Sequence, residues 1–297
     1  MLNKKLLALF LITLFSAALA FAQEDEDSTK VENEWGNHHR HKFKFDLFSH
    51  EFEGKPTVAI GYGLSKMSLS GFNETFGKPN LAEFQIGYTD ISSTEEENIL
   101  RYKYHYLFLS NFSTDIAGAA NNPGLKADMW RFGFGRSQGY GYKIGSGAII
   151  PYHTYSFEWT RLKMNDAPVN PADKSLTDPF NDSFRFGTSF DGGIKFRIIP
   201  NIMLDAGYER SIIFPKHLIW KWLGSVVIEG FGQGAIDHFV DEVMDSSPYA
   251  VPIVSFVLKN ALSYGLYELR QEKMNWPFAT AAPLAYDQFK FGITFVF

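Results

Sequence analysis

The chain has no cysteine among its 297 residues. Disulfide frameworks, thiolate catalysis and a cysteine-linked lipid anchor are therefore excluded. The chain also lacks an excess of basic over acidic residues, since its formal charge is −5 at pH 7. Binding the phosphates of a nucleic acid requires a surface patch of basic residues, so the composition argues against nucleic acid as a partner.

Long uncharged runs are missing as well, since no stretch of about 18 residues after position 55 lacks a charge. Such a run would hold the chain in an inner membrane. Aromatic residues make up 16% of the sequence, with 29 Phe and 14 Tyr, against 21% charged residues. This composition suits a membrane β-barrel, whose outer face carries aromatic girdles.

The last eight residues, KFGITFVF, alternate with a period of two. Successive side chains of a strand point to opposite faces, so one face of this segment is apolar. That face carries Phe291, Ile293, Phe295 and Phe297, and the preceding Phe289 continues it. An edge strand of a soluble β-sandwich is the alternative, but a transmembrane barrel strand explains an apolar face opposite a mostly polar one.

This end resembles the assembly signal of bacterial outer-membrane β-barrel proteins, through Lys290, Gly292, Phe295 and Phe297. The resemblance covers the last strand and the barrel pattern and points to no particular member. It implies a Gram-negative cell outer membrane as the location. It also implies contact with outer-membrane lipid and insertion by the barrel-assembly machinery.

Residues 1–22 have the pattern of a secretory signal peptide. Lys4 and Lys5 precede a short apolar stretch, and Ala20-Phe21-Ala22 has the spacing of a cleavage site. An N-terminal membrane anchor is the alternative. Residues 23–54 are polar and contain histidine, and we interpret them as a lead-in segment.

Residues 55–214 predict seven strands, and 286–297 predict the terminal one. The fold is therefore an all-β, antiparallel, up-and-down barrel of about eight strands, with ten as the alternative. On the third strand we expect Tyr104 to face lipid and Arg101 and Lys103 to face inward. The predicted strands are 57–69, 81–91, 99–109, 127–137, 144–162 (with an irregularity at Pro151), 182–198 and 202–214.

Residues 215–285 have a helical period and form an insertion before the last strand. We predict three helical pieces, 216–231, 233–245 and 251–271. They could cap the extracellular mouth, lie in the membrane interface as amphipathic helices, or plug the lumen. An error of one in the strand count would make the insertion periplasmic.

Charged side chains on the predicted inward face form the candidate lumen network. A narrow barrel interior requires them to be paired, because an unpaired buried charge is costly. A conduction path is the alternative, but a selective pore favours an excess of one sign, so no general porin is predicted. The network consists of Arg101, Lys103, Arg131, Arg185, Lys195, Asp205 and Glu209, with Glu83, Glu158 and Asp191 on the same face.

His38, His39 and His41 are candidate ligands for Zn, Cu or Ni. They lack the accompanying cysteines or a His-x-x-x-His helix, so we interpret them as part of a solvated segment. No metal and no cofactor are predicted.

A lipid-modifying enzyme would need a serine within hydrogen-bond reach of a histidine. His153 and Ser156 lie three apart on one predicted strand and so face opposite sides. We assign no catalytic residue, although a serine from a neighbouring strand stays open.

The sequence thus predicts an outer-membrane barrel with a non-enzymatic structural, adhesive or ligand-handling role. One alternative is transport or binding of a small hydrophobic molecule or lipid, which would add a hydrophobic ligand as partner. The other alternative is a lipid-modifying enzyme.

Overall fold

The computed structural model describes residues 54–114 and 124–297. Within them, eight antiparallel strands pair in sequence order and the last pairs with the first, which confirms the predicted barrel. Closure leaves no strand edge, as spanning a bilayer requires. The strands are β1 (Lys55–Leu69), β2 (Asn80–Ser93), β3 (Ile99–Ser113), β4 (Ala127–Ile144), β5 (Gly147–Met164), β6 (Phe184–Ile199), β7 (Ile202–Ile213) and β8 (Leu284–Val296).

Apolar side chains surround the outside of the barrel, and we call them the apolar ring. Alternate strand positions place large apolar side chains outside, as expected for a wall that contacts lipid. The exposed members include Ile60, Tyr62, Leu64, Phe84, Ile86, Leu107, Leu109, Trp130, Phe132, Phe134, Ile194, Phe196, Leu204, Phe289 and Phe291.

Strand β3 has the opposite orientation from the one predicted. Tyr104 is 1% exposed and faces inward, whereas Leu107 is 62% exposed and faces outward. Arg101 is exposed and Lys103 half-buried on that outward face, so neither belongs to the interior. The reason is that an eight-stranded barrel is narrow and its interior is filled by side chains, here a column of tyrosines. Arg101 and Lys103 lie near the start of β3, where long cationic side chains can reach polar surroundings.

Strand β4 is longer than predicted, because residues 138–143 continue the strand rather than form a turn. The turn is confined to residues 145–146, where Gly145 adopts a φ of 58°, a left-handed conformation that favours glycine. The expected irregularity at Pro151 does not shift the pairing, since Gly139 pairs with Tyr152 and Tyr142 with Ile149 in one register.

Long and short connections alternate around the barrel. Residues 70–79, 114–126, 165–183 and 214–283 form the long connections, and we call their end the loop end. Residues 94–98, 145–146 and 200–201 form the short ones at the turn end. In outer-membrane barrels the long connections are extracellular.

Loops close the loop end of the barrel. Helix α1 (Pro171–Thr177) brings Asp173 to the first loop, where it accepts backbone hydrogen bonds from Asn73 (3.1 Å) and Glu74 (2.9 Å). Beneath these contacts lies an apolar cluster that includes Phe76, Leu81, Phe112, Met129, Leu162, Phe180 and Leu284. The mouth is therefore covered by loops packed on this cluster.

The long insertion forms a helical hairpin: helix α2 (Ile219–Ser246), a 3₁₀ turn (Pro248–Ala250) and helix α3 (Val251–Arg270). The prediction of two separate pieces before residue 246 was wrong, because α2 continues through Gly232. Within the described residues, no helix is both long and apolar enough to cross a membrane.

The helical hairpin packs against the outside of the barrel wall. Near the loop end, Trp222 of α2 contacts Phe186 (5.4 Å between ring centroids) and Phe157 (6.0 Å), both on outward positions. Near the turn end, the hydroxyl of Tyr142 donates to the backbone oxygen of Tyr249 (2.7 Å). The hairpin thus runs along β4–β7 from one end to the other. It neither caps the mouth nor plugs the lumen.

Candidate functional site

Arg131 lies at the centre of the barrel interior, buried to 1% exposure. Its guanidinium donates to Glu158 (3.1 Å) and Tyr286 (2.6 Å) and pairs with Glu83 and Glu209. These partners come from strands β2, β5, β7 and β8, so one side chain joins strands around the whole barrel. Guanidinium suits this role because it stays charged and carries five donors.

Lys290 is a second cation beside these carboxylates. Its ammonium lies 2.7 Å from Glu83 and 2.8 Å from Glu209. Two cations therefore face three carboxylates, and Ser211 and Tyr286 donate further hydrogen bonds to Glu158. Such pairing and hydrogen bonding meet the cost of burying the charges.

A smaller polar group lies nearer the turn end. Lys195 pairs with Asp205 (3.3 Å), and the Tyr152 hydroxyl donates to Asp191 (3.1 Å). A cavity of about 30 Å³ lies among them and could hold one or two water molecules.

Apolar layers bound this charged zone on both sides. The cluster at the loop end was described above. At the turn end, the inward positions carry Leu100, Tyr102, Ala148, Ile150, Met203 and Val296. The interior of the described barrel is thus a stack of apolar, charged and apolar layers.

The structure brings together four members of the predicted lumen network. Arg185 also lies on the inward face of the barrel, on β6. Arg101 and Lys103 lie outside, as described above. Sequence reasoning missed the tyrosine column of β3 and Tyr286, because a tyrosine fits either face of a barrel wall. His38, His39 and His41 lie outside the described residues. The four members are Arg131, which pairs with Glu209, and Lys195, which pairs with Asp205.

The contact between the helical hairpin and strands β4–β8, which we call the helix–wall seam, is polar as well as apolar. Arg270 of α3 pairs with Glu229 of α2 (2.8 Å), and both side chains are buried. Tyr267 donates to Asp287 of β8 (2.7 Å), an outward residue. Arg210 lies over the ring of Tyr264 at 4.5 Å. The Arg270–Glu229 pair joins the two helices to each other, and the contacts of Tyr267 and Tyr264 hold the hairpin on the wall.

His153 lies in the middle of the helix–wall seam. It is 5% exposed, outward on β5 and covered by α3. Its Nδ1 is 3.1 Å from Asn260 Oδ1, and its Nε2 is 3.5 Å from Ser263 Oγ. Ser156, by contrast, faces inward and contacts Tyr106. No sequence signal joins His153 to residues more than one hundred positions later, so this cluster was missed.

A family model of the outer membrane protein beta-barrel domain matches residues 7–225. The chain belongs to this family. It therefore resides in the cell outer membrane, where the apolar ring meets lipid. The match ends within α2, so most of the helical hairpin lies beyond it.

Several solved structures are similar to this chain. Neisserial surface protein A (NspA) is 13% identical, with 82% of this chain and 97% of that chain covered and a TM-score of 0.40. Ail, the attachment invasion locus protein of Yersinia pestis, is 9% identical (82% and 99%; 0.34). OprG from Pseudomonas aeruginosa is 9% identical (82% and 96%; 0.28). No curated protein matches the chain.

Proposed function

We propose that this protein is a non-conducting outer-membrane barrel that binds a membrane lipid or a similar hydrophobic molecule at its helical hairpin. The position of the hairpin supports this proposal most directly, because the hairpin covers an outward wall that would otherwise contact lipid. An insertion that served as a receptor surface would be expected at the mouth. This one lies beside the bilayer instead.

The outer side of the helical hairpin supports a lipid ligand. Large apolar side chains of both helices point away from the wall, and a membrane surrounds that side. The exposed members are Ile219, Trp220, Leu223, Phe231, Phe239, Ile253 and Val257. A hydrophobic molecule held there would contact these side chains and the adjacent barrel wall.

The interior argues against a pore. Arg131 and Lys290 hold all three neighbouring carboxylates, and apolar layers lie on both sides. A selective conduction path would need a continuous polar lining. We therefore assign the specific role of the protein to its outer wall and the role of a scaffold to its interior.

The test is native mass spectrometry of the purified protein together with single-channel recording in planar bilayers. The matched control joins Ile213 to Leu284 through a short turn, because β7 and β8 pair directly and need no hairpin to meet. We expect lipid on the full chain, none on the control, and no steady conductance from either. Equal lipid on both proteins, or open channels, would refute the proposal.

Biogenesis belongs to the same proposal. We infer that residues 1–22 are removed as a signal peptide and that the barrel-assembly machinery recognises the end of β8. The spacing of Lys290, Gly292, Phe295 and Phe297 supports the second step. N-terminal sequencing of the mature protein tests the first, with Gln23 as the expected start.

A further inference from the structure

We propose that Ser263, His153 and Asn260 form a hydrolytic centre that cleaves acyl esters of membrane lipids. The proposal rests on the proposed lipid binding at the helical hairpin and adds a reaction to it. Serine, histidine and an orienting amide are the groups that an acyl-transfer site of this kind needs.

The hydrogen bonds fix the role of each atom. Asn260 Nδ2 donates to the backbone oxygen of Phe256 (2.8 Å), so its Oδ1 is the atom turned to His153 Nδ1. An oxygen accepts, so Nδ1 carries the proton and Nε2 keeps its lone pair. That lone pair faces Ser263 Oγ at 3.5 Å, within the looser range seen without substrate. His153 is therefore set as a base toward Ser263.

A fourth side chain directs the serine proton. Gln233 Nε2 of α2 donates to Ser263 Oγ at 3.0 Å. Since the Oγ accepts this bond, its own proton is available to His153.

A glycine on the barrel wall leaves the space that the Asn260 side chain occupies. Gly192 of β6 lies opposite Asn260, and a Cβ added there would be 2.3 Å from Asn260 Oδ1. Any larger residue would therefore push the amide away from His153. Asn260 and Ser263 are three residues apart on α3, which places both on the face turned to the wall.

The reaction balances without any further cofactor. Ser263 Oγ attacks the ester carbonyl carbon while its proton passes to His153 Nε2. The carbon–oxygen bond to the lipid alcohol then breaks, and the alcohol leaves with that proton. Water, activated by His153, adds to the acyl-serine, which releases the fatty acid and restores the serine.

Ser263 is 1% exposed, so this structure is the closed form. The part of α2 that covers it contains Gly230, Gly232 and Gly234 around Gln233. Glycine is a poor helix former, so this turn is the easiest part of α2 to open. Opening would admit an acyl chain from the surrounding lipid.

The test uses the full-length protein in vesicles, with fluorophosphonate labelling mapped by mass spectrometry and release of fatty acid measured. One set of vesicles contains phospholipid alone and the other also contains lipopolysaccharide, which separates the two sources of acyl ester. Variants are Ser263→Ala, His153→Gln and, as a matched control, Ser255→Ala. Ser255 is buried on the same helix two turns away.

We expect labelling at Ser263 and release of fatty acid that falls at least about 100-fold in Ser263→Ala and His153→Gln. Ser255→Ala should stay within about twofold of the wild type. Absence of label and of acyl release in the wild-type protein would overturn the hydrolytic centre. If lipid still co-purified in that case, the proposed binding function would stand by itself.

Discussion

The guanidinium of Arg131 lies 2.6 Å from the phenolic oxygen of Tyr286 and so joins β4 to β8 through the barrel interior. Because Arg131 also contacts three carboxylates, we expect it to contribute more to stability than any charged pair at the surface. Without Arg131, Lys290 would be the cation that remains paired with Glu83 and Glu209.

Replacing Arg131 by methionine should lower the free energy of unfolding by about 3–5 kcal/mol, since it leaves buried carboxylates without their main partner. Urea unfolding of the refolded barrel in lipid vesicles measures the loss. Arg161→Met is the control, because Arg161 forms an exposed pair with Asp182 and should cost less than about 1 kcal/mol. Equal losses in both variants would contradict a central role for Arg131.

Replacing Leu107 by aspartate should impair membrane insertion. Leu107 faces lipid on β3, and a charged side chain on the lipid-facing wall destabilises a barrel, most strongly near the bilayer midplane. The fraction of protein that shifts on an unheated gel reports folding, with Leu107→Met as the control. Normal folding of the aspartate variant would mean that the orientation of β3 is reversed.

Replacing Gly192 by leucine should detach α3 from the wall, because even a Cβ there overlaps Asn260. We expect faster protease cleavage between residues 251 and 270 with the barrel itself intact. Gly61→Ala is the control, since its Cβ would lie 3.7 Å from the Phe291 oxygen, an ordinary contact. An unchanged cleavage rate in Gly192→Leu would argue against the described seam.

The loop closure at Asp173 should weaken in acid. Burial alone would raise the pKa of Asp173, but hydrogen bonds from Asn73 and Glu74 outweigh it and hold this pKa below its ordinary 3.8. The stabilisation is therefore complete above the ordinary value and is lost as pH falls through the lowered pKa. Pepsin cleavage near Phe72 should accelerate as the pH falls below the ordinary pKa of 3.8. Asp173→Asn should be cleaved faster with less dependence on pH, and identical profiles would disprove this closure.

Removing Phe297 should reduce the amount of barrel in the outer membrane, because the terminal aromatic belongs to the inferred assembly signal. In the folded barrel its side chain is 69% exposed, and its amide donates to Pro56 (2.9 Å). Cell fractionation and the gel shift measure the effect, and Phe297→Tyr is the control. If the truncated protein assembled as well as its parent, the inferred signal would be wrong.

Strand patterning predicted most of the barrel, because alternation is imposed by lipid outside and by neighbouring side chains inside. The pattern predicted the wrong orientation for β3, because Tyr104 and Leu107 each suit either face of a barrel strand. Only the narrow interior, a property of the closed barrel, decides between them. The helical period likewise revealed α2 and α3 but carried no information on what they pack against.

The helix–wall cluster could not be predicted, because His153 comes from β5 and Ser263 from α3. Their meeting depends on how the hairpin docks, which is a tertiary property. Periodicity describes one element at a time. Of the predicted charge network, the five members on β4, β6 and β7 lie on the inward faces of their strands, whereas Arg101 and Lys103 of β3 lie outside.

The helical hairpin packs against β4–β7 and the start of β8, so the protein has a front and a back within the plane of the membrane. Lipids beside β1–β3 meet a bare apolar wall, whereas those on the opposite side meet helices. Neighbouring proteins can therefore approach the bare half more closely than the covered half. Even a single copy in a crowded membrane would impose an orientation on the molecules around it.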